Sequence, residues 1–278
     1  MSGDAAEPEL LIDDQVVTII VGPESLGTDR QRYVLHKKVL CSKSDFFRAA
    51  FRGPSKEATE NKMTLPEESP KAFRMFVSWL YTNSVPVSWF SSESASADHI
   101  KSATKSDVET VLELYLMGQK WLIPTLQDKA IDILIGKFSI RPLLFLDADI
   151  IIMVYSSTME KSKIRNFLVQ LFVYLADDSG NDLTSLLSIH NDFTMSVATV
   201  LYQATRNKLR FETHPSQDLR CHYHAHDEDF DCPYKAIFAA AQAQKVAASG
   251  GGTGHAKNPR KRNAAGSNST AAANKRSK

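Results

Sequence analysis

Apolar residues keep a two-residue step and then a helical one within the first fifty positions. The switch lies in Tyr33 to Phe51, YVLHKKVLCSKSDFFRAAF, with no Gly or Pro inside it, so both halves must face one core. Val16, Thr18 and Ile20 alternate with Val17, Ile19 and Val21 in a β-branched run, and a shorter run from Tyr33 to Leu35 follows a polar turn holding Gly22, Pro23 and Gly27. The pair predicts a β-hairpin with a long loop. From Val39 the apolar positions Val39, Leu40, Phe46, Phe47, Ala50 and Phe51 fall on helical spacing, with Ser42 and Ser44 as candidate helix caps.

The pattern beyond is mostly helical. Residues 1–13 are small and acidic and read as a frayed terminus. The polar run GPSKEATENK from Gly53 to Lys62 predicts a loop, and Met63 to Leu65 a short strand ended by Pro66. A helix from about Pro70 places Phe73, Phe76, Val77 and Leu80 on one stripe. Residues 88–106 are serine-rich with almost no apolar content and predict a flexible insertion. Ser106-Asp107-Val108-Glu109 then reads as a capping box opening a helix from Val108 to Lys120, with Val108, Val111, Leu112 and Tyr115 inward. Pro124 suits the first turn of the next helix, whose inward positions are Leu126, Ala130, Ile133 and Leu134. Past Arg141-Pro142, Asp149 is the expected cap of a short helix through Val154-Tyr155, although three consecutive Ile pull towards strand. Ile164, Phe167, Leu168, Leu171 and Leu175 form a stripe stopped by Asp177-Asp178-Ser179-Gly180, and Phe193, Val197, Val200, Leu201 and Ala204 form another after Asn191.

Several of these blocks carry a family resemblance. Leu35-His36-Lys37, Val39-Leu40, Cys41-Ser42-Lys43-Ser44 and Phe46-Phe47 followed by Ala50-Phe51-Arg52-Gly53 resemble the signature of the BTB/POZ domain in its filamentous-fungal form. Met63-Thr64-Leu65-Pro66-Glu67-Glu68 leading to Phe73, and Trp79-Leu80-Tyr81-Thr82, agree in order and spacing. The family's usual acidic residue before the first strand, in a D-x-T-I arrangement, is Val16 here, with Asp13 and Asp14 nearby. Val154-Tyr155, Thr158 and Ile164-Arg165 are similar to the helical extension that follows the domain in fungal relatives. The resemblance implies an α+β fold, a helical cluster capped by a small sheet, over 14–137, a helical extension over 138–210 and a Cys/His-containing segment over 211–244, and the composition of 245–278 adds a disordered basic tail. It also implies a protein–protein interaction module, with a cullin or another BTB protein as the candidate partner. A nuclear scaffold or transcriptional co-regulator and a cullin-dependent ubiquitin-ligase adaptor are the two roles that follow. BTB proteins with strand-exchanged dimers carry a helix and a strand before the core, for which 1–13 leaves little room. A monomer or weak homodimer is therefore expected.

Composition narrows the classes. At 278 residues and 43% hydrophobic content the chain can build one large or two ordinary domains. Three scattered cysteines, Cys41, Cys221 and Cys232, give no disulfide framework and imply a reducing compartment. The strongest apolar runs, IIIMVY and FLVQLFVYL, fall short of the ~20 residues that span a bilayer, so no membrane partner is expected. The formal charge of +1 conceals an asymmetry. From Lys245 onward there are eight basic residues and no acid, which leaves 25 basic against 32 acidic residues, a net of −7, in the body. In the tail, Lys261-Arg262 and Lys275-Arg276-Ser277-Lys278 stand apart on an Ala/Gly/Ser/Asn spacer, the arrangement of a bipartite nuclear-import signal. That predicts an import receptor as partner and a nuclear location with a cytoplasmic share. No zinc-finger pair, helix-turn-helix or aromatic platform accompanies the charge, so specific nucleic-acid binding is disfavoured.

The candidate chemistry is sparse. Cys41 and His36 across a strand-to-helix junction read as core and cap, not as nucleophile and base, and no catalytic set is expected. Gly250 to Gly254 lacks the Gly-Lys-Ser/Thr step of a phosphate loop. Asp177, Asp178 and Asp182 do not match a calcium loop. One constellation remains. Cys221, His224, His226 and Cys232 are the residue types that bind zinc, with Cys-x-x-His able to span one tetrahedral edge. His222 offers a competing ligand set, and Asp227, Glu228, Asp229 and Asp231 could make the segment a solvated loop. A small structural zinc site closing the helical extension is the expectation.

Overall fold

The computed structural model describes residues 15–25, 30–85, 97–140, 146–177, 182–208, 215, 220–226, 231–232 and 234–235. The expectations for residues 1–13, the serine-rich 88–96, the glycine run 250–254 and the basic clusters of the tail lie outside them. The described residues belong to a compact unit that runs to Lys235.

Strand β1 (Val16–Val21) is central because every second side chain, Val17, Ile19 and Val21, can be buried at once. It pairs antiparallel with β2 (Gln31–His36), Ile19 facing Tyr33, and parallel with β3 (Lys62–Leu65), Ile19 facing Met63. The order is β2-β1-β3, so the parallel pair needs a crossover. Helices α1 (Lys37–Lys43), α2 (Asp45–Arg52) and α3 (Lys56–Glu60) supply it. Ser44 breaks the first two helices in extended backbone, and its hydroxyl accepts from Phe47 N, as a cap should. The same hydroxyl donates to Trp121 O at 2.8 Å. Ser42 is not a cap: it lies inside α1 and donates to Val39 O. The expected loop from Gly53 to Lys62 is also corrected, since α3 occupies its middle. Ser55 caps it by accepting from Ala58 N, and Asn61 ends it in the left-handed region at φ 48°. Both are short-range hydrogen-bonding signals inside a polar run without apolar periodicity.

Helix α4 (Pro70–Thr82) starts at its proline and buries Phe73, Phe76, Trp79 and Leu80, with Val77 only half-buried. Helix α5 (Ala97–Lys120) begins well before the expected start at Val108. Ser106 therefore lies within a helix, where its carbonyl accepts from Thr110 Oγ1 at 2.7 Å, and the insertion predicted to 106 ends in helix instead. Once a packed helix is nucleated each added residue costs little, so the helix outruns its apolar stripe. The extra turns bring Lys105 to Asp147 at 2.8 Å and Asp149 at 2.6 Å. Helix α6 (Pro124–Ile140) returns antiparallel to α5 across a turn in which Leu122 takes φ 56°. Gly118 permits the close approach, because a Cβ there would meet Gln127 Cγ at 2.9 Å.

Lys137 on α6 is 7% exposed, and burial lowers its amine to about 8, an effect that the Asp107 carboxylate partly offsets. An unfolded lysine holds its proton to about pH 10.4. At this site the unfolded state therefore binds more protons between about pH 8 and pH 10.4, so Lys137 contributes a rise in stability with pH across that window. Replacing Lys137 by Met is expected to remove that contribution, lowering the slope relative to the wild type, and to stabilise the fold near neutral pH by on the order of 1 kcal/mol. Urea melts of both proteins at neutral and at alkaline pH check this, and an unchanged slope in the variant would refute it.

Beyond α6 the described residues up to Lys208 are again mostly helical. Helix α7 (Ala148–Ser157) is capped by Asp147, whose carboxylate accepts from Ile150 N at 3.0 Å, and not by the expected Asp149. Helix α8 (Lys163–Asp177) buries the predicted stripe together with Val169, Phe172 and Val173, so it is enclosed on more than one side. Helix α9 (Asn191–Asn207) buries Phe193, Val197 and Ala204. Leu201, expected inward, is 44% exposed, because α9 packs through a single face.

Candidate metal centre

Residues 220–235 bring together side chains that the backbone alone could not hold. A 3-10 turn, Arg220–Tyr223, is followed by a hydrogen bond from His224 N to Cys221 O at 3.3 Å, which turns Cys221 and His224 to one side. Tyr223 is buried and meets the Phe167 ring of α8 edge-on at 5.3 Å. Cys232 is buried, and its carbonyl accepts from Lys235 N. One potential ligand atom from each of Cys221, His224, His226 and Cys232 lies within 4.8 Å of all the others. The four residues singled out from the sequence are thus the four that the fold collects. His222 is exposed and outside the cluster, which removes the competing set. Asp231 is exposed, and residues 227–230 lie outside the described residues.

The BTB-like core contributes two carboxylates that sequence reasoning did not assign. Asp128 and Asp132 sit one turn apart on α6, and so on one face of it. Asp132 Oδ1 lies 3.2 Å from His224 Nε2, and Asp128 Oδ1 accepts from Ala225 N at 2.5 Å. Their signal in the sequence was an i, i+4 acidic pair flanking the inward position Ala130.

Charge is balanced tightly here. Burial raises the Asp128 carboxyl, opposed by the Ala225 N–H and the imidazoles of His224 and His226. Burial opposes a charged His224, but the Asp132 carboxylate outweighs it and its pKa is raised. Burial, followed by the hydrogen bond shared with Cys232, pushes the Cys221 thiol up to about 12. Burial acts upward on Cys232 too, but hydrogen bonds from Cys221, the Tyr234 backbone and the two histidines bring it to about 7. The surroundings thus favour ionisation of the Cys232 thiol and oppose that of Cys221.

The other singled-out residues are structural. The Cys41 thiol donates to Phe47 O at 3.7 Å, and burial raises its pKa. His36 Nδ1 lies 2.9 Å from the Tyr81 hydroxyl, which also accepts from His36 N. Asp182 is a turn residue, accepting from Thr184 N at 3.1 Å.

Residues 17–137 match the family model of the BTB/POZ domain, and the three-stranded sheet with its helical cluster is a BTB domain in α+β form. This part of the chain is thus a protein–protein interaction module. A stretch of 60 residues, 22% of this chain, is 37% identical to Kelch-like protein 26 of Danio rerio and spans 10% of that protein's length. The family match ends at 137, so α7 to α9 and the Cys/His cluster lie beyond it, whereas Asp128 and Asp132 lie within it.

Proposed function

We propose that the chain is a non-enzymatic nuclear scaffold or transcriptional co-regulator that joins protein partners through its BTB domain. The carrying observation is Leu122. It is 63% exposed at φ 56°, on the edge of a groove of about 710 Å³ that Leu116, Met117, Pro124 and Met159 also line. A left-handed non-glycine residue costs on the order of 1–3 kcal/mol, and a large exposed apolar side chain does nothing to offset that cost. A partner that buries Leu122 and the 77% exposed Met159 would offset it. The two basic clusters, Lys261-Arg262 and Lys275-Arg276-Ser277-Lys278, support nuclear import through a receptor. Val154-Tyr155, Thr158 and Ile164-Arg165 support the filamentous-fungal form of the family.

A second reading is a cullin-dependent ubiquitin-ligase adaptor. It rests on the domain, and the likeness to a Kelch-like protein favours it as far as that domain goes. Two measurements separate the readings. A fluorescent fusion of the full chain should accumulate in the nucleus and move towards the cytoplasm when Lys261 and Arg262 become Ala. Retention in the nucleus would sink the bipartite signal. Purified cullin titrated into the full chain should show no saturable binding under the scaffold reading. Binding that Leu122→Asp weakens would replace it with the adaptor.

A further inference from the structure

We propose that Cys221, His224, His226 and Cys232 bind one zinc ion, and that this ion clasps the segment after the helical extension onto the last helix of the BTB domain. The inference is independent of which partner the domain takes.

Geometry carries it. Zinc–sulfur bonds of about 2.3 Å and zinc–nitrogen bonds of about 2.0–2.1 Å set the edges of a tetrahedral site at roughly 3.3 to 3.8 Å, with a sulfur–nitrogen edge of about 3.6 Å. Cys232 Sγ lies 3.5 Å from His224 Nδ1. The widest separation among the four ligand atoms is at most 4.8 Å, so closing onto an ion needs shifts of about 1 Å and no change of backbone path. Two thiolates and two imidazoles would leave a doubly charged ion neutral, which suits a site where His224 is 3% and Cys232 2% exposed.

A second observation is independent of the ligand set. His224 turns Nδ1 to the cluster and Nε2 to Asp132, the carboxylate–histidine arrangement that fixes the tautomer and raises the basicity of a metal-binding imidazole. Asp128 holds the peptide between the two histidines through Ala225 N. Ligands and supporting carboxylates lie about ninety residues apart in sequence, so the ion's binding energy is spent on joining two regions of the chain. Tyr223 on Phe167 completes the join on the side of α8.

The test uses the full chain, purified without a polyhistidine tag. Elemental analysis is expected to find about one equivalent of zinc. Replacement by cobalt should give the intense visible bands of a tetrahedral site and thiolate-to-metal charge transfer in the near ultraviolet. Cys221→Ser with Cys232→Ser should lose the metal. Because that variant can fail to fold, Asp132→Asn is the companion: it keeps all four ligands and should bind zinc about 10–100-fold more weakly in a chelator competition. Hydrogen exchange across residues 220–226 and α6 should quicken when a chelator strips the wild type. Less than a tenth of an equivalent of zinc after exposure to zinc salt overturns the proposal. So does an equal zinc content in the double variant, or a cobalt spectrum without thiolate charge transfer. Unchanged affinity in Asp132→Asn removes the clasp while leaving the ion.

Discussion

Replacing Trp121 by Ala is expected to remove about 3–5 kcal/mol of stability, a large part of what a domain of this size has. The side chain is fully buried, with the rings of Phe47 at 5.0 Å, Phe76 at 5.0 Å and Phe73 at 5.8 Å around it. These come from α2 and α4, so a cavity at Trp121 lies at the junction of three helices and cannot close by moving one of them. The hydrogen bond from Ser44 Oγ reaches the Trp121 carbonyl and would survive, so the loss is one of packing. Among the described residues the buried indole Nε1 has no hydrogen-bond partner, so Trp121→Phe forfeits volume but no polar contact and should recover more than half of the loss. Urea unfolding of the three proteins measures this. A loss below about 1 kcal/mol in Trp121→Ala would contradict the packing account.

The second large effect is expected at Arg165, which is 7% exposed on α8. Its Nε donates to Thr158 Oγ1 at 2.9 Å, and Nη2 donates to Tyr155 O at 2.7 Å and to Thr158 O. The guanidinium lies 4.5 Å from the centre of the Tyr155 ring and 3.7 Å from Asp192 of α9. It thus satisfies carbonyls at the C-terminal end of α7, where the helix dipole favours a cation, and ties α7, α8 and α9 together. Arg165→Met should cost about 2–4 kcal/mol, mainly by leaving buried carbonyls without donors. Asp192 has a 65% exposed side chain, so no stranded buried charge adds to the cost. Arg165→Lys should recover little, since one ammonium cannot reach Thr158 and Tyr155 as a planar fork does. Chemical melts, with hydrogen exchange at the last turn of α7, check both. Lysine performing within about 0.5 kcal/mol of arginine would disprove the fork argument.

Tyr155, Thr158 and Arg165 were all legible as motif residues of the extension, but only as neighbours in a string. Their shared role needed α8 to fold back along α7. The candidate metal centre divides in the same way. The four Cys/His residues stood out by type and spacing, whereas the exclusion of His222 depended on which side of the 3-10 turn each residue faced. Asp128 and Asp132 were not assigned from the sequence, because their partners belong to a segment about ninety residues away.

Period and capping chemistry by themselves determined the β1 strand, Ser44 as a cap, the proline starts of α4 and α6 and most of the apolar stripes of α5, α6 and α8, because each depends on residues within a turn or two. Tertiary structure decided what local preference leaves nearly balanced. It ran α5 back to Ala97, enclosed α8 on more than one face, and left Leu201 outward. It also held Leu122 in a left-handed turn and gathered the four Cys/His residues of the candidate centre against α6. For α8 and the Cys/His cluster, contacts between residues far apart in sequence outweigh local biases of about 1 kcal/mol or less, and no window along the chain contains those contacts; the left-handed cost at Leu122 is the larger exception.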